Sequence, residues 1–318
     1  MHLRHDSREH GTRGRRRRAL VLLPLILALL VSTCRAAPDA SPAGEERAAG
    51  APAAATGPPA PGSPSRSGAP AVSPLVVFLD PGHGGPEFGT AGVTLDGTLL
   101  LEKDVTLAIA LRTAARLRAA GITVVLSRTS DELPGLTAAD RAPGGQGLTP
   151  EGVLRDLQRR VDRANASGAS LLLSIHLNSF VDPSAGGTET YYDASRPFAA
   201  SSRRLARLVQ REVVEALHAV DYPAQDRGVF TEAELHTPGL GVLPAYRHLV
   251  LLGPEVPGRL RPSGMPGVLN EVLFLSNPAE ASAVQRPEVQ DAIAGAYTRA
   301  ILEYLAQPGS WTESRTQR

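Results

Sequence analysis

Short apolar runs alternate along most of this chain with longer stretches in which apolar residues recur every three or four positions. Residues 75–79, 122–126, 171–175 and 268–275 are near-continuous apolar runs, the pattern of strands buried on both faces. Residues 188–192 read as a further strand. Between them the period lengthens. Residues 104–120 read as a helix closed by Gly121, and Leu154, Leu157, Val161 and Ala164 recur at helical spacing. Ser195 and Pro197 open a helix running to Ala219. Pro287 starts a last helix with Val289, Ala292, Ile293, Ala296, Ala300 and Ile301 on its inner face. Strands alternating with amphipathic helices predict an α/β sheet covered by helices. Residues 133–151 and 231–265 have no period, apart from the apolar run 249–252. Long irregular segments in a compact domain are often lids or binding loops, so both are expected to flank a crevice.

The first 73 residues of the chain have a different texture. Arg15, Arg16, Arg17 and Arg18 precede an apolar stretch over residues 19–31, which is shorter than the roughly 20 residues of a comfortable membrane span. This reads as an export signal over residues 1–34. Its end, Leu30-Val31-Ser32-Thr33-Cys34, resembles a bacterial lipoprotein cleavage box, making Cys34 the candidate lipidation site and a lipid anchor one route to the membrane. Cleavage near Ala36 and an uncleaved anchor remain the other readings. Residues 35–73 are dominated by Ala, Pro, Gly and Ser, too little apolar surface for a core, and are expected to be a tether. The globular domain is expected over residues 74–307, with a flexible tail at 308–318. No repeat of 20 to 50 residues is evident.

Charge follows the same division. Residues 1–35 hold eight arginines against Asp6 and Glu9, so the remainder of a chain with net charge +1 is acidic. That balance gives no electrostatic case for binding nucleic acid.

Two histidines end apolar strands inside polar motifs: His83 in Asp80-Pro81-Gly82-His83-Gly84-Gly85, and His176 in Ser174-Ile175-His176-Leu177-Asn178. Strand carboxyl ends are where such a sheet places its ligand crevice, and two imidazoles there suggest a metal site. A catalytic zinc is often bound by two His and one carboxylate. Glu102 fits, just before the helix at residue 104; the competing role is a first-turn acid facing the helix dipole. Glu271 lies in the apolar strand 268–275, where a carboxylate is expensive to bury unless paired or functional, and is the candidate acid/base. A salt bridge to an arginine is its alternative.

Taken together, Asp80 to Gly85, Glu102, Ser174 to Asn178 and Glu271 to Asn277 resemble the zinc-dependent N-acetylmuramoyl-L-alanine amidases of the family 3 type. Leu157 to Asn165, Asp226-Arg227-Gly228-Val229 (similar to the family's usual Gly-Val turn) and Phe274 to Glu280 add to the likeness, which covers about residues 74–306. The resemblance implies Zn2+ held by His83, Glu102 and His176, with Glu271 as catalytic acid/base. It implies a single domain with a mostly parallel or mixed twisted sheet between helices. The substrate would be peptidoglycan, cut between N-acetylmuramic acid and L-alanine outside the cytoplasm, in the periplasm or cell envelope. Asn178 and Asn277 are candidates for positioning it, with turn formation as the alternative. An activator protein, as some relatives use, is not identifiable from the sequence. Leu273 stands where the family commonly has Gly, and Leu177 where it has a small residue, which predicts a bulkier surround for substrate. A different wall-directed zinc hydrolase, an inactive wall-binding lipoprotein and a structural tethering protein are the rival readings.

Overall fold

The computed structural model describes residues 75–231, 234 and 249–307. The export signal with Cys34, the tether and the tail lie outside the described residues. Among the described residues, no helix is long and apolar enough to cross a membrane.

A six-stranded mixed sheet organises the domain. Its strands are β1 (Val76–Pro81), β4 (Thr123–Leu126), β5 (Leu171–Asn178), β6 (Thr188–Tyr192), β7 (Asp226–Thr231) and β8 (Gly267–Phe274), in spatial order β4-β1-β5-β8-β6-β7. The neighbours β4, β1, β5 and β8 run parallel; β6 is antiparallel to β8, and β7 is parallel to β6. The helices α1 (Glu102–Ala119), α2 (Pro150–Ser167), α3 (Ala199–Ala219), α4 (Pro278–Gln285) and α5 (Pro287–Ala306) cover it. A small antiparallel hairpin of β2 (Ala91–Val93) and β3 (Leu99–Leu101) leads into α1.

Strand alternation divides the sheet into two unlike faces. On one, Val77, Leu79, Leu173, Ile175, Val268 and Val272 pack against α1, α3 and α5 in the main core. On the other, Phe78, Leu172 and Leu269 meet Val161 and Ala164 of α2 and the apolar run Leu249, Leu251 and Leu252. Toward the strand carboxyl ends this second face changes character. Phe78 is followed two residues later by Asp80, Leu172 by Ser174 and His176, and Leu269 by Glu271. The apolar part anchors α2, and the polar part lies where the crevice opens.

Several expectations are corrected. The segment 226–229, similar to a turn in the family, belongs to β7, at the sheet edge. The hairpin β2–β3 and helix α4 were not legible as elements. Helix α3 starts at Ala199, because the backbone at Asp193 and Ser195 makes a turn in which Ser195 N–H donates to Asp193 Oδ1. The irregular segment 133–151 is built around a short 3-10 turn, Ala138–Asp140. There the buried Asp140 carboxylate accepts from Thr137 and pairs with Arg155. Thr149 then caps α2 by accepting from Gly152 N–H.

Leu177 and Leu273 also depart from expectation. Leu177 reaches the edge of the cleft, but both side chains are almost fully buried and join the main core. Leu177 follows the alternation of Leu173 and Ile175 into that core; for Leu273 the reason is a bulge, since β5 and β8 lose register between His176 and Asn178, where one extra β8 residue is accommodated. The extra residue turns Leu273 toward the helices rather than toward the face that carries Glu271.

Leu173→Ala, at a fully buried position in β5, is expected to lower unfolding free energy by about 2–5 kcal/mol. Urea denaturation checks this: the midpoint should fall with little change in slope.

Candidate active site

The structure brings His83, Glu102 and His176 together, with one ligating atom from each lying within 4.8 Å of the others. His83 Nε2 and His176 Nδ1 each lie 3.1 Å from Glu102 Oε1. The two rings stand edge to face with centroids 4.9 Å apart. Three different elements supply them: the loop after β1, the first residue of α1, and β5.

Local chemistry fixes each one. Glu102 Oε1 accepts from Leu177 N–H and Oε2 from Thr90 N–H, both at 2.9 Å, so its carboxylate is held by backbone from two sides. This resolves the choice left open by the sequence: Glu102 sits in the first helical turn, yet it faces the histidines and is nearly inaccessible. His83 has a positive φ of 62°, a conformation uncommon for a side chain with a Cβ. Two buried arginines grip the carbonyls around it. Arg160 donates to Pro81 O at 2.9 Å and His83 O at 2.8 Å. Arg128 donates to Gly82 O, Pro81 O and Lys103 O. Arg160 also pairs with Asp80 and Asp156 at 2.8 Å, and the Asp80 hydroxyl partner is Ser174. Burial alone would raise the Asp80 carboxyl, but the Arg160 charge and hydrogen bonds hold it down at about 2.

The cluster fits a metal ion by its chemistry and by its surroundings. A Cβ at Gly82 would overlap the His176 ring, and one at Gly89 would overlap both Glu102 and His83. Glycine at both positions keeps a side chain out of the space between the donors. Beyond the ligand set, His83 Nδ1 lies 2.5 Å from Glu87 Oε2, which leaves Nε2 for the interior of the cluster. Burial opposes charge on His83, but Glu102 and Glu87 outweigh it and push its pKa up to about 10. Burial likewise opposes charge on Glu102, yet His83 and the hydrogen bonds from both histidines hold that carboxyl well below the usual range. Without metal His83 is therefore held as an imidazolium between the carboxylates of Glu102 and Glu87, and a metal ion bound here would have to displace that proton.

Glu271 lies in register with His176 on one side and Glu189 on the other, in the middle of the sheet. It is fully buried, and neither carboxylate oxygen has a hydrogen-bond partner. Burial, with the nearby negative charges of Glu102 and Glu189, pushes its pKa well above the ordinary carboxylate value. The salt bridge to an arginine that the sequence left open is not made. It goes instead to Glu189, which accepts from Arg227, from Asn178 Nδ2 and from Tyr191 Oη.

The cluster opens into a cleft of about 730 Å3, walled by Leu148, Leu157, Leu249 and Leu251 and rimmed by Phe180 and Val181. Both irregular segments thus contribute to it, through Leu148 and the run at 249–251. Asn178 lines the cleft, with its amide bound to Glu189 and its carbonyl oxygen to Ser179 N–H. Asn277 is used differently: it caps α4 by accepting from Ala279 and Glu280 N–H, and donates to Ala185 O. His236 and His248 lie outside the described residues.

Glu87, Glu189, Arg128 and Arg160 were missed in the sequence. Glu87 carried a signal, four residues after His83 in the Gly-rich loop. Glu189 carried one too, a charge alternating with threonines inside a strand. The two arginines looked like many others on helix and loop surfaces.

The family model for N-acetylmuramoyl-L-alanine amidase matches residues 77–303. The chain is 32% identical over 234 residues to the germination-specific N-acetylmuramoyl-L-alanine amidase of Bacillus subtilis, covering 74% of this chain and 81% of that protein. It is also 32% identical to N-acetylmuramoyl-L-alanine amidase LytC of the same organism, over 72% of this chain but only 35% of LytC. Among solved structures, N-acetylmuramoyl-L-alanine amidase AmiC2 of Nostoc punctiforme superposes with a TM-score of 0.51 at 29% identity, covering 73% of this chain and 98% of that one.

Two predictions follow from the geometry. Glu87→Ala should weaken metal affinity by about 10- to 100-fold, measured by competition with a chelating indicator, because His83 loses the partner that orients it. In the metal-free protein Glu271 binds its proton more tightly folded than unfolded, so stability falls as pH rises above the ordinary value of 4.5. Glu271→Gln needs no proton, so it should melt higher than the parent at about pH 8, with the difference closing in acid below the unfolded carboxylate pKa. A constant difference across that range would contradict the assignment of the burden to Glu271.

Proposed function

The chain belongs to the N-acetylmuramoyl-L-alanine amidase family, and on that premise we propose that zinc held by His83, Glu102 and His176 works with Glu271 to carry out its hydrolysis. The enzyme hydrolyses the amide joining N-acetylmuramic acid to L-alanine in peptidoglycan. The observation that carries the proposed division of labour is Glu271: a buried, unpartnered carboxyl in register with a histidine of the metal-ligand cluster.

His83, Glu102 and His176 would hold the zinc, which when bound would supply Lewis-acid charge and make water more acidic. The remaining work belongs to side chains. Glu271 takes the proton of the attacking water and passes it to the alanine nitrogen as the amide C–N bond breaks, leaving a lactyl carboxylate and a free amine. Its environment suits the task, because among the described residues no hydrogen bond competes for the proton, and burial with the nearby charges of Glu102 and Glu189 makes the ionised carboxylate a stronger base than an exposed one. Glu87 sets the ring orientation of His83, and Arg160 and Arg128 hold the backbone beneath it. The apolar cleft walls limit access of bulk water, which strengthens each of these electrostatic effects.

Residues 74–307 are the catalytic domain in this reading. Residues 1–34 export it, residues 35–73 tether it, and lipid on Cys34 would fix it to the membrane. Remodelling of the wall or cell separation is the fitting task.

Glu271→Gln should bind about one zinc per chain, as the parent does, and release no stem peptides from purified peptidoglycan. Near-normal turnover in this variant would remove Glu271 from the mechanism. For the parent, newly exposed N-terminal alanine is the expected product; new reducing sugar ends would instead identify a different wall hydrolase.

A further inference from the structure

The loop between β5 and β6 begins two residues beyond Asn178 with Phe180 and Val181, which line the cleft and are 49% and 93% exposed. That exposure is not the looseness of an untethered loop. Phe180 N–H donates to Ser276 Oγ at 2.9 Å, and Ser179 N–H to Asn178 Oδ1 at 2.8 Å. Further along, Ser184 N–H donates to Asp182 Oδ1, Ala185 O accepts from Asn277 Nδ2, and Gly187 N–H donates to Glu280 Oε1 at 2.7 Å. Anchored at both ends and in its middle, the loop presents an aromatic ring and an isopropyl group to solvent at the mouth of the site. Of the six phenylalanines, Phe78, Phe198 and Phe274 are buried, while Phe88 and Phe180 are the two exposed ones, at 41% and 49%, and of these two only Phe180 lines the cleft. Exposed apolar groups on a rigid rim mark a contact surface for a ligand.

The substrate offers two arms to either side of the scissile amide: a peptide and a sugar strand. The peptide ends in a carboxylate. The loop itself, residues 179–187, carries the exposed Asp182 and no lysine or arginine, so its own charge disfavours an anionic arm. An N-acetylated sugar strand is uncharged along its backbone and presents flat C–H faces and acetyl methyl groups, which pack well on an aromatic ring. We infer that Phe180 and Val181 form a platform for the sugar strand that bears the scissile amide. This rests on the peptidoglycan amidase reading above and specifies which arm of that substrate lies on this rim. The platform fixes the acyl side of the amide over the metal-ligand cluster, while the leaving amine departs along the rest of the cleft. It also explains the rigidity of the loop, since a preformed surface loses less ordering free energy on binding.

The test uses the full metal-loaded chain and two substrates with the same amide: glycan strands carrying stem peptides, and an N-lactoyl-L-alanyl peptide with no sugar. In Phe180→Ala the ratio of kcat/KM for glycan-bearing over sugarless substrate should fall about tenfold, equivalent to about 1.4 kcal/mol, with most of the change in KM. Val181→Ser should lower the same ratio more modestly. Peptide-free glycan oligomers should inhibit the parent more strongly than Phe180→Ala. Metal content reports whether the variants retain the folded site. Equal losses on both substrates, or unchanged inhibition by peptide-free oligomers, would overturn the platform while leaving the amidase reading intact. A parent enzyme that cleaves neither substrate would overturn both.

Discussion

The clamp formed by Arg160 on the end of β1 is the contact on which the site depends. One guanidinium from α2 reaches Asp80, Asp156, and the carbonyls of Pro81 and His83. It is nearly inaccessible, as is Asp80, so each charge relies on the other. Desolvation makes such a pair a weak source of net stability, while removing one partner typically costs about 3–5 kcal/mol. What the pair secures is position. It joins the helix on one face of the sheet to the strand end below, and it holds His83 in a backbone conformation that a histidine rarely adopts. Arg128 closes the same loop from the other side.

Against that background the treatment of Glu271 stands out. Asp80, Glu102, Glu189 and Glu280 are all buried, and each receives hydrogen bonds from arginine, hydroxyl or backbone donors. Among the described residues, Glu271 alone leaves both oxygens of a buried carboxylate unanswered. Arg227 is committed to Glu189, the cross-strand neighbour of Glu271, and not to Glu271 itself. Leaving it unpaired costs stability and leaves both oxygens without a competing hydrogen bond, which is what the proposed acid/base role of Glu271 asks for.

The strands that carry the site were legible because parallel strands buried on both faces write their burial into the sequence as apolar runs. The clustering of His83, Glu102 and His176 was foreshadowed because a histidine or glutamate at the end of such a run has few structural reasons to be there. What could not be read was contact across elements. The bulge between β5 and β8 depends on pairing between residues nearly 100 positions apart, so the side to which Leu273 turns was invisible. The hairpin β2–β3 has strands of only three residues, too short for a period to emerge. The β7 edge strand contains Gly228 and polar residues and carries no apolar run, so the likeness to the family's Gly-Val turn was the one reading of it. Asn277 looked like a substrate contact by its place in a motif, and its role as a cap became visible only with the helix it starts. Arg160 sat on an amphipathic helix among other arginines, and only the fold shows that it points inward.

The central claim is that His83, Glu102 and His176 form a zinc site. Zinc K-edge X-ray absorption on the purified full chain tests it most directly. The expected spectrum is that of one zinc per chain, with two imidazole nitrogens and carboxylate or water oxygen at about 2.0–2.2 Å and no sulfur bound to the metal. A zinc without imidazole ligands, or one bound to the sulfur of Cys34, would contradict it.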